Sequence, residues 1–371
     1  MMLPHVATFT DTYLPTVNGV TYTVETWRDR WHQRNGCMDI IYPKAKSYSP
    51  DENEYPVFSL RFPFYPGFRM GAPLIPESVS DADVVHSHTP FGVGYAGLRL
   101  AKRESLPFVV SYHTPIAEYT RYITPGSRES RLLRKFTQRF ERWFFNRANR
   151  IIAPTEQAKN RLLEEVNVTT PVKVIPNGVN IDHFKPQDTD EFLQSYSIPA
   201  DKPIIGYTGR HGFEKQLEEV IDATESLDVR VLFGGDGPAR DTLEKQAREV
   251  NTDIRFLGFL DREELPFFYS SLDVFAFPSP VETQGLVALE ANACGTPVVG
   301  ANSGALAATI KDDETGYNYE SGDSKAFAKA IEKALDNIDR LSETCLARRE
   351  ELSVTTSIDD LTDLYAEILD N

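Results

Sequence analysis

The chain is poor in cysteine, with three in 371 residues, and short of basic charge, with 39 Lys and Arg against 55 Asp and Glu. Cys37, Cys294 and Cys345 are too few, and odd in number, for a disulfide framework, and none stands at the spacing of a zinc-binding pair. A net charge of −16 argues against a nucleic-acid binder, which needs a basic face. No apolar run approaches the roughly 18 residues of a membrane-spanning helix. Met1 to Asp11 has no basic stretch followed by a long apolar core, so a secretory leader is not expected. These absences point to the cytoplasm. There is no repeat of roughly 20–50 residues and no low-complexity tract.

What the chain does have is alternation. Strand candidates are His5–Phe9, Met38–Tyr42, Val84–His86, Phe108–Tyr112, Ile151–Ala153 and Lys173–Ile175. A second series comprises Ile204–Tyr207, Arg230–Phe233, Ile254–Phe256, Val274–Ala276 and Pro297–Val299. Amphipathic stretches lie between them, among them Gly19–His32, Phe91–Arg103, Lys215–Ala223 and Ala239–Val250. This pattern predicts an α/β protein of two doubly wound domains, each a parallel sheet covered by helices. Turn formers from Pro176-Asn177-Gly178 to Lys185-Pro186 mark the boundary. The expected domains are 1–180 and 181–354. Charge divides with them: residues 1–180 hold 22 basic and 17 acidic side chains, +5, and residues 181–371 hold 17 and 38, −21.

Ligands of open parallel sheets sit beyond the carboxyl ends of the strands, so the polar residues just after strands carry the functional reading. After Val274–Ala276 a helix is expected from Gln284–Gly285 to the terminator Gly295. Glu290 falls on its apolar stripe with Leu286, Leu289 and Ala293. A carboxylate there needs a partner, and a pair of sugar hydroxyls is a good one. The amides of Gly285 and Leu286 suit a phosphate, with Glu282 at the mouth of the crevice. The competing reading is a capping Glu282 and a solvated Glu290. After Ile204–Tyr207 come Arg210 and Lys215, two cations able to stabilise a diphosphate leaving group without a metal; alone, such a pair is usually a solvated face. Gly235 lies in a Gly-rich turn, for which a plain tight turn is an equal reading. Gly19 permits close approach of backbone to ligand at a helix start. His113 ends a strand, and a lone histidine is more often structural. Asp81-x-Asp83 precedes a strand, on the wrong end of the sheet for a metal-bound diphosphate, so no metal is expected.

Residues 121–150 carry nine Arg or Lys against two Glu. Leu132, Leu133, Phe136, Phe140, Trp143 and Phe144 recur at three- and four-residue steps, predicting a basic amphipathic helix. Arg131, Arg134, Lys135, Arg139 and Arg142 then face either solvent or an anionic membrane surface.

Glu282-Thr-Gln-Gly-Leu286, Glu290-Ala and Gly295-Thr-Pro-Val-Val resemble the donor signature of retaining glycosyltransferases with the GT-B fold, whose two domains face each other across a cleft. The resemblance implies that Glu290 binds the ribose and that Glu282, Gly285 and Leu286 contact donor sugar and phosphate. It implies that Arg210 and Lys215 clamp the diphosphate, although this chain has Gln216 where the family usually has Gly. It further implies that Gly19 faces the diphosphate, that Gly235 lines the donor crevice and that His113 borders the reacting sugar. Asp11, Glu118 and Tyr119 become acceptor-side candidates, with a structural role an equal alternative. A helix near Ser357–Leu369, within 355–371, is expected to cross back to the first domain. Thr10-Asp-Thr-Tyr-Leu-Pro, Asn18-Gly-Val20 and Ser111-Tyr-His-Thr with Glu118-Tyr-Thr-Arg-Tyr122 are similar to the diacylglycerol α-glucosyltransferases. The implied partners are UDP-glucose, a lipid acceptor and the inner face of the cell membrane, with no cofactor. A soluble sugar or polyprenyl-linked glycan as acceptor, and a sugar-nucleotide epimerase of GT-B shape, stay open as alternatives.

Overall fold

The computed structural model describes residues 3–61, 68–79, 81–115 and 128–370, without the side chains of 128–133. The chain forms two compact units, Met1–Gly178 with Val354–Asn371, and Val179–Ser353. The division falls within two residues of Asn180, and the last helix belongs to the first unit.

Among its described residues the first unit holds nine strands: β1 (Val6–Phe9), β2 (Met38–Pro43), β3 (Glu54–Val57), β4 (Ser59–Arg61), β5 (Arg69–Gly71), β6 (Val84–Ser87), β7 (Phe108–Ser111), β8 (Arg150–Ala153) and β9 (Val172–Val174). Seven form a parallel sheet in the order β3-β2-β1-β6-β7-β8-β9, and β4 and β5 pair as a small antiparallel ribbon. β1, β2, β6 and β7 are buried throughout, as strands covered on both faces must be. On one face pack Trp27 and Trp31 of helix Gly19–Gln33 together with Val354, Ile358, Leu361, Leu364 and Tyr365 of helix Val354–Leu369. The chain's last helix is therefore half of one layer of its first sheet.

The second unit holds β10 (Ile204–Thr208), β11 (Arg230–Gly234), β12 (Asp253–Gly258), β13 (Val274–Phe277), β14 (Val298–Ala301) and β15 (Gly316–Tyr319), all parallel, in the order β12-β11-β10-β13-β14-β15. In each unit the strand order reverses beside the first strand, between β1 and β6 and between β10 and β13. Brackets of polar residues at these two switch points are where a ligand would sit.

The alternation predicts eleven of these strands. It misses β3, whose Pro56 reads against a strand but is tolerated at the sheet edge. It misses the ribbon, which is three residues a side. It misses edge strand β15, Gly-Tyr-Asn-Tyr, where Gly316 lies so close to Val298 that a Cβ would meet its carbonyl oxygen at 1.8 Å. The helix expected over Lys215–Ala223 is broken into a 3-10 turn, Phe213–Lys215, and a helix, Glu218–Thr224. The break is Gln216, which adopts φ +52°.

Candidate active site

Beyond the carboxyl end of β10 the chain turns at Gly209, φ +138°, and presents Arg210 and Lys215. The Lys215 ammonium lies 2.5 Å from Glu282 Oε1, across 67 residues of sequence. The two side chains are only 14% and 13% exposed, so salt screens them weakly. Arg210 pairs with Glu214, whose side chain is buried. Lys215 also stands 5.9 Å from the ring of Phe277, the last residue of β13. The segments following the paired strands β10 and β13 thus converge, and two of the predicted residues meet directly.

The Glu282 carboxylate is taken up by Lys215. Helix Leu286–Ala293 begins at Gly285, with φ +79°, a residue with no side chain to cap it. A Cβ on Gly285 would lie 2.7 Å from Leu306. The uncapped amide end and its dipole favour an anion. Glu290 is 5% exposed, and the Tyr269 hydroxyl donates to its Oε2 at 2.8 Å. Burial raises its pKa, against the charge of Arg262 and the Tyr269 hydrogen bond. Glu290 is thus a buried carboxylate fixed by one oxygen, and the reading of it as solvated is excluded. Sequence reasoning missed Tyr269 and Arg262, whose roles follow from tertiary placement, and Glu214, whose i,i+4 spacing from Arg210 was there to be read. Gly235, φ +103°, presses on the Gly209 turn, where a Cβ would meet the Gly209 carbonyl oxygen at 2.0 Å. The Asp236 carboxylate accepts from the Gly237 amide, and the next helix starts from Ala239, so Asp236 is no cap.

In the first unit His113 follows β7, and its Nε2 lies 2.8 Å from Nδ1 of His88, with the rings stacked at 6°. His88 in turn lies 4.2 Å, ring to ring, from His86. The nitrogens of His86 meet the Tyr365 hydroxyl at 2.7 Å and the Ser111 hydroxyl at 2.8 Å. Burial pushes His113 down to about 4, His86 to about 3 and His88 well below its ordinary value. At neutral pH these are three uncharged imidazoles, and the His88–His113 contact needs one ring to donate and the other to accept. The signal for His88 was present as His86-Ser-His88, with one histidine inside the strand and one just past it.

Asp11 is 2% exposed and occupied: it accepts from the Val93 amide at 2.8 Å, the Gly94 amide at 3.2 Å and the Thr89 hydroxyl at 2.8 Å. Those amides open helix Gly92–Glu104, so the structural alternative for Asp11 is the one the geometry displays. Burial holds its pKa up at about 6. Gly19 opens its helix behind Asn18, whose side chain accepts from Val20 and Thr21. Glu118 and Tyr119 lie outside the described residues. Asp83 sits at the amino end of β6, where its carboxylate accepts from the His5 amide.

The basic stretch forms helix Arg128–Phe145. Its aromatics, expected on one face, divide. Phe144 and Phe145 enter the core, whereas Phe136 is 70% and Trp143 38% exposed. Phe140 stacks on Trp143 at 6.0 Å, and the exposed Tyr95 ring lies 6.2 Å from Trp143. Arg147 covers Trp143 at 4.1 Å. Arg139, Arg142, Trp143, Asn146 and Arg147 line an open depression of about 380 Å³. Lys135, Arg139 and Arg142 are exposed and Arg134 is half-buried; the Arg131 side chain lies outside those described. Among the described residues no helix is long and apolar enough to cross a membrane.

Two Rossmann-like units, the second with phosphate-suited turns at its strand ends, define a class, and comparison with known proteins names it. The model of glycosyltransferase family 4 matches residues 17–183, and that of glycosyl transferases group 1 matches residues 188–347. The alpha-monoglucosyldiacylglycerol synthase of Streptococcus pneumoniae is 27% identical over 84% of this chain and 74% of its own. A GDP-mannose-dependent alpha-mannosyltransferase of Mycolicibacterium smegmatis is 28% identical over 98% of this chain and 97% of its own. A solved Anabaena protein in complex with UDP and glucose superposes with a TM-score of 0.74 at 17% identity, over 98% of this chain and all of that one. The chain is a glycosyltransferase of the family 4 type, with the GT-B fold, resembling the alpha-monoglucosyldiacylglycerol synthases.

Proposed function

We propose that this enzyme moves a hexose, glucose foremost, from a nucleotide diphosphate sugar to a lipid at an anionic membrane surface, with retention and without a metal. The observation that carries the lipid acceptor is the pair of exposed aromatics on helix Arg128–Phe145. Phe136 and Trp143 stand exposed among Lys135, Arg139 and Arg142, the combination that an acyl–headgroup boundary rewards. The named activity of the pneumococcal relative supports it.

In this reading the second unit holds the donor. Arg210 and Lys215 compensate the charge that grows on the diphosphate as its bond to the sugar breaks, and the first turn of helix Leu286–Ala293 receives phosphate. Glu282 keeps Lys215 in place, and Glu290, steadied by Tyr269, accepts from ribose hydroxyls. His113 meets the sugar as a neutral hydrogen-bonding group, since its pKa of about 4 keeps it unprotonated near pH 7. Burial makes the neutral His113 a weak base, so in this reading the departing phosphate takes the acceptor's proton, and attack follows on the face it leaves. UDP is the first nucleotide to test, given the ligands of the Anabaena protein, and GDP-mannose the second, given the mycobacterial relative.

The test is a panel of nucleotide sugars against extracted lipids, with products read by mass spectrometry and their anomers by NMR, in the presence of a chelator. An α-linked glycolipid formed from an α-linked donor is expected. Inversion, or loss of turnover in chelator, overturns retention or metal independence respectively. Co-sedimentation with anionic vesicles should fall when Arg131, Arg134, Lys135, Arg139 and Arg142 are neutralised. Binding that survives those changes removes the membrane role.

A further inference from the structure

The opposite, amino end of the first sheet holds a cluster with no part in transfer. Cys37 and Asp39 stand two residues apart entering β2, so their side chains leave the same face. Pairing sets Val6 opposite Met38 and Ala7 opposite Asp39, which brings His5 opposite Cys37 on that face. His5 Nε2 lies 2.9 Å from Asp39 Oδ2, and Cys37 Sγ lies 3.9 Å from Asp39 Oδ1. All three ligand atoms fall within 4.8 Å of one another. Zinc bonds of about 2.0–2.3 Å place tetrahedral donors roughly 3.3–3.8 Å apart, a spread these side chains reach by small rotations. Asp39 is buried while His5 and Cys37 are half-buried, leaving one side open to water.

The surroundings are negative. The Asp83 carboxylate accepts from the His5 amide at 2.8 Å. Carboxylates gathered beside an imidazole and a thiol attract a dication, and the thiol gives up its proton as the ion binds. Thiolate, imidazole and carboxylate together suit zinc.

We propose that His5, Cys37 and Asp39 bind one zinc ion, with water completing its shell, at the amino edge of the first sheet. The ion ties β1 to β2 at the end remote from Asp11 and His113, and transfer proceeds without it. Spacing along the chain concealed the site, because His5 joins Cys37-x-Asp39 only through strand pairing.

Titration of the full chain with cobalt(II), then zinc, tests this. One cobalt per chain should give a thiolate charge-transfer band that zinc abolishes. Cys294 and Cys345 are buried, so Cys37→Ser should lose the band while melting, metal-free, like the native chain. Zinc affinity, measured against a chromophoric chelator, should drop about tenfold or more in His5→Ala and Asp39→Asn. Zinc should raise the Tm of the native chain alone. Absence of the band at saturating cobalt, or its persistence in Cys37→Ser, leaves a His5–Asp39 ion pair only and overturns the proposal. Loss of sugar transfer in Cys37→Ser overturns the separation from the reaction.

Discussion

The two units share a strand order and differ in how they hold polarity. At the carboxyl end of the second sheet the ionisable groups meet as partners: Arg210 with Glu214, Lys215 with Glu282, Glu290 with Tyr269. At that of the first, His86, His88 and His113 are buried uncharged. Charged ends suit a diphosphate, and neutral ones suit hydroxyls and an apolar acceptor. The units also differ in continuity. The second is one stretch, Val179–Ser353, and the first needs residues from both sides of it. The same architecture thus leaves one unit self-sufficient and the other dependent.

The largest effect should come from ending the chain at Ser353. This strips Val354, Ile358, Leu361, Leu364 and Tyr365 from one face of the first sheet. Each buried side chain stabilises by about 1.5–3 kcal/mol, together comparable with a whole domain's 5–15 kcal/mol. The first unit should be unfolded by tryptophan fluorescence, since Trp27, Trp31 and Trp143 all lie in it. The second should still melt cooperatively by circular dichroism. If both survive, the dependence of the first is refuted.

Acid should separate the units next. The three histidines bind protons more weakly folded than unfolded. Stability therefore drains as pH falls below 6.5, down to about 4 for His113 and about 3 for His86, at about 1.4 kcal/mol per pH unit for each proton. Asp11 and His5, both raised, work the other way, but three histidines are lowered against these two groups. In the second unit lowered His211 is countered by raised Glu218, Asp273 and Glu290. The tryptophan signal should therefore collapse between pH 6.5 and 4 before the second unit melts. Simultaneous loss would erase the contrast.

Arg210→Ala should reduce kcat by about 10²–10³, the usual result of removing one group that stabilises developing charge, and should lower Tm as well, because the buried Glu214 carboxylate loses that guanidinium. Full activity would sink its role. The smallest effect belongs to Gln216→Gly. Gln216 holds a left-handed conformation that costs a non-glycine residue about 1–2 kcal/mol. Its replacement should raise the melting point of the second unit slightly. A lower Tm would show that the hydrogen bond from Ser321 to its side chain outweighs the strain.

The residues most legible in the sequence were those whose chemistry is local. Glu290 betrayed itself as a carboxylate on an apolar stripe, and Gln216 as an exception where glycine was expected. Most of the eleven predicted strands carry apolar runs; Val172-Lys173-Val174 and Ile254-Arg255-Phe256 alternate instead. Edge strands β3 and β15 escaped because an edge tolerates Pro56, and because Gly316 serves a close backbone approach rather than a buried face. The His113–His88 stack and the Tyr269–Glu290 bond escaped because each joins segments more than twenty residues apart, whereas Glu214 stands four residues from Arg210 and was legible in the spacing. The division of the basic helix escaped because one periodic stripe was read where Phe144 turns inward and Phe136 outward.

Placing Tyr365 beneath His86 also has a consequence for how the protein is made. A ribosome delivers the second unit whole once Ser353 has emerged, while the first, begun earlier, still lacks the helix that closes it. Synthesis and completion therefore run in opposite orders. Until the helix Val354–Leu369 arrives, Trp27 and Trp31 lack part of their cover and His86 lacks its hydroxyl partner. The unit born first is the last to become itself, and it has a reason to meet a chaperone while its younger neighbour is already folded.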